Sequence, residues 1–322
     1  MKANTIHNNL LNAIKEKLPA GSNIANKLMD ILCLGREAIY RRLRSEVVFT
    51  LEEASLIATS LGISLDEVLG CDNLKSRPLQ IKLTSYIEPT PSDYLQMDEY
   101  IAFLKYIIEA PDTEVGYSGN SLAQNLFFGY KHLTLFMVFR WQFQSQVSNG
   151  VKYFKELKFQ DRFINLQEET VSLMQYMPHT YHVWDFHIIQ YLVNDIKHFV
   201  SIRLISQEEL SLIKKDLFDL LDDIERIASK GKFDTGKPVQ LYISNINFDS
   251  TYSYMQSPSL NVNLGQIWAF SLNSVISMDA TTTSHIKNWI LSQKRVSTLI
   301  SESGEIQRIL FFKTQRQIID TL

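Results

Sequence analysis

The segment "REAIYRRLRSE", Arg36 to Glu46, places four arginines within eleven residues of a chain whose formal charge is only −3. Arginine at that density has three uses. It can form a solvated helix face, lie along a lipid surface, or present its planar fork to phosphates and to the O6 and N7 acceptors of guanine. On a helical wheel Ile39 and Leu43 share one face, Glu37, Arg41 and Arg44 the opposite one, and Ala38, Tyr40 and Arg42 the flanks. Two aliphatic side chains thus pin a short helix inward and leave a basic surface outside.

The elements that must position this helix are legible on either side of it. Ile6, Leu10, Ile14 and Leu18 recur every four residues up to Pro19, which predicts a first amphipathic helix. Ser22 or Asn23 can cap a second helix carrying Ile24, Leu28, Ile31 and Leu32, and "CLG" at Cys33 to Gly35 breaks the periodicity before the arginines. Two capping boxes, "TLEE" (Thr50, Glu53) and "SLDE" (Ser64, Glu67), start helices four and five, and Gly70 closes the fifth. A helix, a three-residue turn and a basic helix among further short helices is the helix-turn-helix layout, whose second helix enters the major groove.

On these residues the segment "NKLMDILCLGREAIYRRLRSE" resembles the lambda-repressor and Cro-like helix-turn-helix family, through Leu28, Leu32, Leu34, Ile39 and the "YRRL" of Tyr40 to Leu43. The longer stretch "IYRRLRSEVVFTLEEASLIATSLGISLDEVL" is similar to a group of such regulators from Bacteroidetes-type bacteria, in which a YRR tripeptide precedes a "TLEE" helix and an "SLD" helix. A weaker echo lies at "STLISESGEIQRILFF", Ser297 to Phe312. The resemblance implies a cytoplasmic, sequence-specific transcriptional regulator that binds double-stranded DNA. Its DNA contacts would be Ser22, Asn23, Lys27, Arg36, Glu37, Tyr40, Arg41, Arg42 and Arg44. Two positions depart from the pattern: Cys33 stands where the turn usually has glycine, and Met29 where a small residue usually packs, which would space the two helices slightly further apart. A protein-interaction module that keeps the fold but no longer reads DNA is the alternative.

Residues 1–75 carry nine basic and nine acidic side chains, so one copy of this module should bind a polyanion weakly. Doubling the contacts across a two-fold axis would offset that, which predicts a homodimer. Pro78, Pro89 and Pro91 surround a period-two stretch, "LQIKLTSY", and divide the chain into a helix-turn-helix domain at 1–73, a linker at 74–91 and a larger region at 92–322.

In that region helices are expected over Ser92–Ala110 and Lys131–Gln146, with a hairpin of Trp184–Val200 against Ser206–Lys230. The hairpin's second helix must bury Leu210, Ile213, Leu217, Leu221, Ile224 and Ala228 behind the capping box "SQEE". After Gly231 the period changes to two in "VQLYISN", "STYSYMQ", "LNVNLGQIWAFSL" and "SVISM", and Thr281–Ser297 and Glu305–Asp320 return to helix. The expected fold class is mainly α: a five-helix helix-turn-helix domain, then a larger helical region with a small antiparallel β-sheet (α+β). That region would dimerise or sense a small-molecule or protein effector.

Other chemistry-bearing segments fall short of a site. "GKFDTGKP", Gly231 to Pro238, lacks the Ser or Thr that a phosphate-binding loop needs after its Lys, and "GYSGN", Gly116 to Asn120, lacks the second glycine of a nucleophile elbow. "HTYHVWDFH" holds His179, His182, Asp185 and His187, but their spacing matches no helical metal-ligand pair, and Tyr181, Trp184 and Phe186 look like core or pocket lining. The aromatic belt from Leu126 to Phe143 reads as core before cavity lining. Cys33 and Cys71 are the chain's two cysteines, too few for a disulfide framework and expected as free thiols. No apolar run has the length of a membrane span, and no signal peptide is read. No metal, cofactor or membrane is expected, and the chain reads as not an enzyme.

Overall fold

The computed structural model describes residues 3–18, 23–63, 65–69, 86–145, 151–269 and 271–322, and the chain forms two compact units, Met1–Ile81 and Lys82–Leu322. The "LQIKLTSY" strand and Cys71 lie outside the described residues, Tyr86 apart. The described end of the expected 74–91 linker belongs to the second unit: Tyr86 is buried there and its hydroxyl donates to the Leu272 carbonyl at 2.9 Å.

The first unit contains α1 (Ala3–Lys17), α2 (Ile24–Leu32), α3 (Arg36–Leu43), α4 (Leu51–Leu61) and α5 (Leu65–Val68). Each helix is too short to be stable alone, so the unit is held by its shared core. Leu10, Ile14, Leu28, Ile39, Ile57 and Val68 form that core, with Leu43, Leu32 and Met29 packed against it. Ile14, Leu28, Ile39 and Ile57 have no accessible surface, and truncating any one to Ala would cost about 2–5 kcal/mol. Local signals set the ends. Asn23 caps α2 by accepting the Asn26 N–H at 3.1 Å, and Thr50 and Glu53 complete the reciprocal box at α4. Ser64, the hydroxyl of the other box, lies outside the described residues.

The second unit overturns the expectation of a mainly α fold with a small antiparallel sheet. The chain is 57% helical, but this unit is a sizeable α/β domain on a seven-stranded mixed sheet. It runs α6 (Pro91–Ile107), β1 (Glu114–Gly119), α7 (Gln124–Phe127), α8 (Lys131–Ser145), α9 (Asp161–Met174), β2 (His179–Asp185), α10 (Ile188–Ser201), α11 (Gln207–Lys230) and β3 (Val239–Ser244). Then follow β4 (Thr251–Ser257), β5 (Val262–Ala269), β6 (Asn273–Ser277), α12 (Ala280–Arg295), β7 (Thr298–Leu299) and α13 (Glu305–Asp320).

The spatial order is β6-β5-β4-β1-β2-β3-β7, with β1, β2 and β3 parallel and the other pairings antiparallel. Parallel neighbours need long crossovers, and helices α7 to α9 and α10 to α11 supply them. Strands β3 to β6 stand where the period-two text puts them, but they extend a sheet that β1 and β2 have begun, and the two-residue β7 lies outside that text. The Trp184–Val200 helix is corrected: residues to Asp185 belong to β2, and the helix begins at Ile188. Helix α11 buries Leu210, Ile213, Leu217, Leu221, Ile224 and Ala228 within its own unit, against α8, α10, α13 and β3.

Side chains alternate across the sheet. Tyr117, Trp184, Leu241 and Ile243 join the large core shared with α8, α10, α11 and α13. On the opposite face Tyr181, Val183 and Tyr254 pack with Ile286 and Ile290 of α12. Gly116 is required where β1 passes this face, because a Cβ there would collide with the Tyr254 and Tyr181 rings. No described helix is long and apolar enough to cross a membrane.

Candidate nucleic-acid interface

Helices α2 and α3 are joined by Cys33, Leu34 and Gly35. Cys33 adopts the left-handed conformation, φ 51° and ψ 37°, so the position has glycine-like geometry although it carries a thiol. Its exposed side chain is a free cysteine. Met29 packs partly buried against the first unit's core.

The sequence gathers its arginines on α3, and the structure sorts them. Ile39 is fully buried and Leu43 packs beside it, which turns the opposite side of α3 outward. Arg36, Glu37, Arg41 and Arg44 are exposed, as are Asn23 and Lys27 on and before α2, while Tyr40 is half-buried with Arg36 over its ring at 5.5 Å. Ser22 lies outside the described residues.

Arg42 faces the other way. Its side chain is 13% exposed, against 54% for Arg41 and 52% for Arg44. The guanidinium donates from Nη2 to Glu53 Oε1 at 2.6 Å, from Nε to Glu53 Oε2 at 3.0 Å, and from Nη1 to the Ala38 carbonyl at 3.1 Å. All three nitrogens are engaged, so Arg42 clamps α3 to the start of α4 and is not among the outward donors. Burial acts to raise the Glu53 carboxyl pKa, but the hydrogen bonds from Arg42 and from the Thr50 N–H together hold it below the usual carboxylate range.

The clamp has a second member that the sequence reading missed. His7 of α1 is buried; its Nδ1 accepts the Phe49 N–H at 3.3 Å, which leaves the hydrogen on Nε2 to donate to the Arg42 carbonyl at 2.9 Å. A single histidine within an amphipathic repeat carries no spacing that announces such a contact. Asn9 adds a tie from α1 to the Val68 carbonyl at 2.9 Å.

The outward face is basic but counterbalanced. Arg44 donates to Glu46 at 2.7 Å and to Glu37 at 3.3 Å, and Arg41 lies 3.7 Å from Glu46. These exposed pairs are worth little each and break readily, so a phosphate or base edge can replace Glu46 as the partner of either arginine.

The second unit disperses the histidine segment. His179 is exposed at the start of β2, His182 points into the core side of the sheet, and Asp185 accepts the backbone N–H groups of His187 and Phe248, both at 2.8 Å. No group of three metal-ligating side chains converges among the described residues. "GYSGN" is the end of β1, and "GKFDTGKP" runs from the end of α11 to the start of β3.

No family model, no curated protein and no solved structure matches this chain.

Proposed function

We propose that the protein is a sequence-specific DNA-binding transcriptional regulator whose helix α3 reads the major groove. The observation that carries this reading is the sorting of the arginines: one is locked inward to fix the pitch of α3, and three stand outward on a helix that follows a three-residue turn. Arg36, Arg41 and Arg44 have the donor forks that guanine O6 and N7 accept, and Glu37 can take the N4 donor of cytosine. Tyr40, Asn23 and Lys27 lie where phosphate contacts set register in this layout. Because the module's formal charges cancel, the regulator acts as a homodimer on two half-sites. The test is selection of bound fragments from random duplex DNA by the full-length protein, repeated with Arg41→Ala and Arg44→Ala together. Enrichment of one motif by wild type and its loss in the variant support the reading, and the absence of any enriched motif rejects it.

A second reading, a protein-interaction module, is favoured by one observation. Val48, Leu51 and Leu56, before and along α4, expose 49%, 82% and 50% of their surface. Capture of a protein partner that survives nuclease treatment and is lost in Leu51→Glu would favour it.

A further inference from the structure

Along the core-facing side of β2, Thr180, His182 and Trp184 succeed one another at alternate positions. None of Thr180 Oγ1, His182 Nδ1, His182 Nε2 and Trp184 Nε1 has a hydrogen-bond partner among the described residues. Thr180 and His182 are each 5% exposed. Buried polar atoms cost free energy when left unpaired, so a row of them in a strand core points to something else that pairs with them.

The space for it is adjacent to Thr180 and His182, though not to Trp184. Thr180 and His182 line a cavity of about 80 Å³ under β1, β2, β4 and β5, closed by α7 and α9. Tyr100, Gln124, Thr170, Gln266 and Trp268 also line a larger chamber of about 470 Å³, which reaches the surface beside the exposed Glu99, Ile276 and Met278. The narrow inner end and the wide outer chamber therefore share a wall.

The lining fixes the ligand's chemistry. No lysine or arginine borders either space, and the one carboxylate, Glu99, is at the rim, so an anion would find no counter-charge. Several other polar groups near the inner end already have partners: Ser253 Oγ donates to Gln266 at 2.9 Å and accepts the Trp268 indole N–H at 2.9 Å, and the Tyr117 hydroxyl donates to the Ser121 carbonyl at 2.8 Å. A neutral imidazole offers one donor and one acceptor, and burial holds His182 neutral by pushing its pKa down to about 4. Water can fill the inner end, but the aromatic walls of the outer chamber gain nothing from water.

We propose that the second unit binds an uncharged aromatic small molecule, whose hydroxyl end pairs with His182 and Thr180 and whose ring lies against Tyr100 and Trp268. This inference does not rest on DNA binding, and its test uses no DNA. The full-length protein is titrated calorimetrically with 4-ethylphenol, ethylbenzene and 4-ethylbenzoate. The phenol should saturate one site, ethylbenzene should bind about tenfold more weakly because it leaves the polar end unpaired, and the benzoate should bind least. His182→Phe should erase the preference for the phenol while ethylbenzene still binds. Should that variant fail to fold, Thr180→Val and the ring ¹⁵N resonances of wild-type His182 give the same answer: a reduced preference, and resonances that move as the phenol saturates. Equal binding of phenol and ethylbenzene, unmoved His182 resonances at saturation, or no saturable binding of any probe would overturn the proposal.

Discussion

The carboxylate of Glu53 accepts hydrogen bonds from both Nη2 and Nε of Arg42, at 2.6 and 3.0 Å, and a third from the Thr50 N–H at 3.0 Å. One side chain thereby starts α4 and fixes α3 against it. Glu53→Gln should free the outward tilt of α3 and cost about 2 kcal/mol of local stability, since it leaves a mostly buried guanidinium half-paired. Hydrogen exchange of the α3 amides measures this, and unchanged protection would show the pair to be ornamental.

The same pair sets a pH dependence. Because the folded pKa of Glu53 is lowered, its contribution is complete above the unfolded value of about 4.3 and is lost as pH falls through the lower folded value. Protection of α3 should therefore decline below about pH 4.3, and Glu53→Gln should flatten that decline. An equally steep decline in the variant would assign the effect to other carboxylates.

His182 predicts a second acid limb, in the other unit. An unfolded imidazole titrates near 6.5 and this one near 4, so the unfolded chain holds an extra proton between them. Stability is complete above about pH 6.5, falls by about 1.4 kcal/mol per unit and levels off below about 4, a total of about 3 kcal/mol. Between pH 6.5 and 5, where few carboxylates titrate, wild type should lose about 1.5 kcal/mol relative to His182→Phe in denaturant unfolding. A pH-independent gap would mean that His182 is already protonated or bonded.

Much of the first unit was legible because its signals are local: four-residue apolar spacing, a capping box and a turn. What could not be read were the contacts that bring distant residues together. The wheel places Arg42 on a flank, and only the return of α4 makes Glu53 its partner. The sheet was misjudged for a related reason. β2 is covered on both faces, so "HTYHVWD" alternates between two interiors and shows no polar face, and its apolar run continues into α10 as though one helix. β1 carries two glycines, one of them demanded by the Tyr181 and Tyr254 rings, and offers little strand propensity. Without these two strands and the two-residue β7, the four period-two segments after Gly231 read as a small sheet.

Leu217 tests the second unit's core. It has no accessible surface within α11, so Leu217→Asp should cost more than about 4 kcal/mol and unfold the sheet domain rather than merely separate subunits. Near-ultraviolet circular dichroism should lose the signal of the buried tryptophans Trp141 and Trp184. A folded monomer would instead place the α11 stripe at a subunit contact.

Glu46 restrains two outward arginines, so Glu46→Gln should strengthen DNA binding about two- to fivefold by releasing Arg41 and Arg44 from an exposed pairing. Fluorescence anisotropy on the selected site reads the change. Weaker binding would mean that Glu46 orients the arginines for DNA rather than competing with it.

The most direct measurement is the salt dependence of full-length protein on its selected duplex, beside the Arg41→Ala, Arg44→Ala double variant. On the proposed reading each α3 with its flanking groups would neutralise about 3 to 5 phosphates, so a dimer on two half-sites should give a slope of log K against log salt of about −5 to −9. The variant should lose site preference and show a shallower slope. No preferred site, or the same slope and affinity in wild type and variant, would contradict DNA reading by α3.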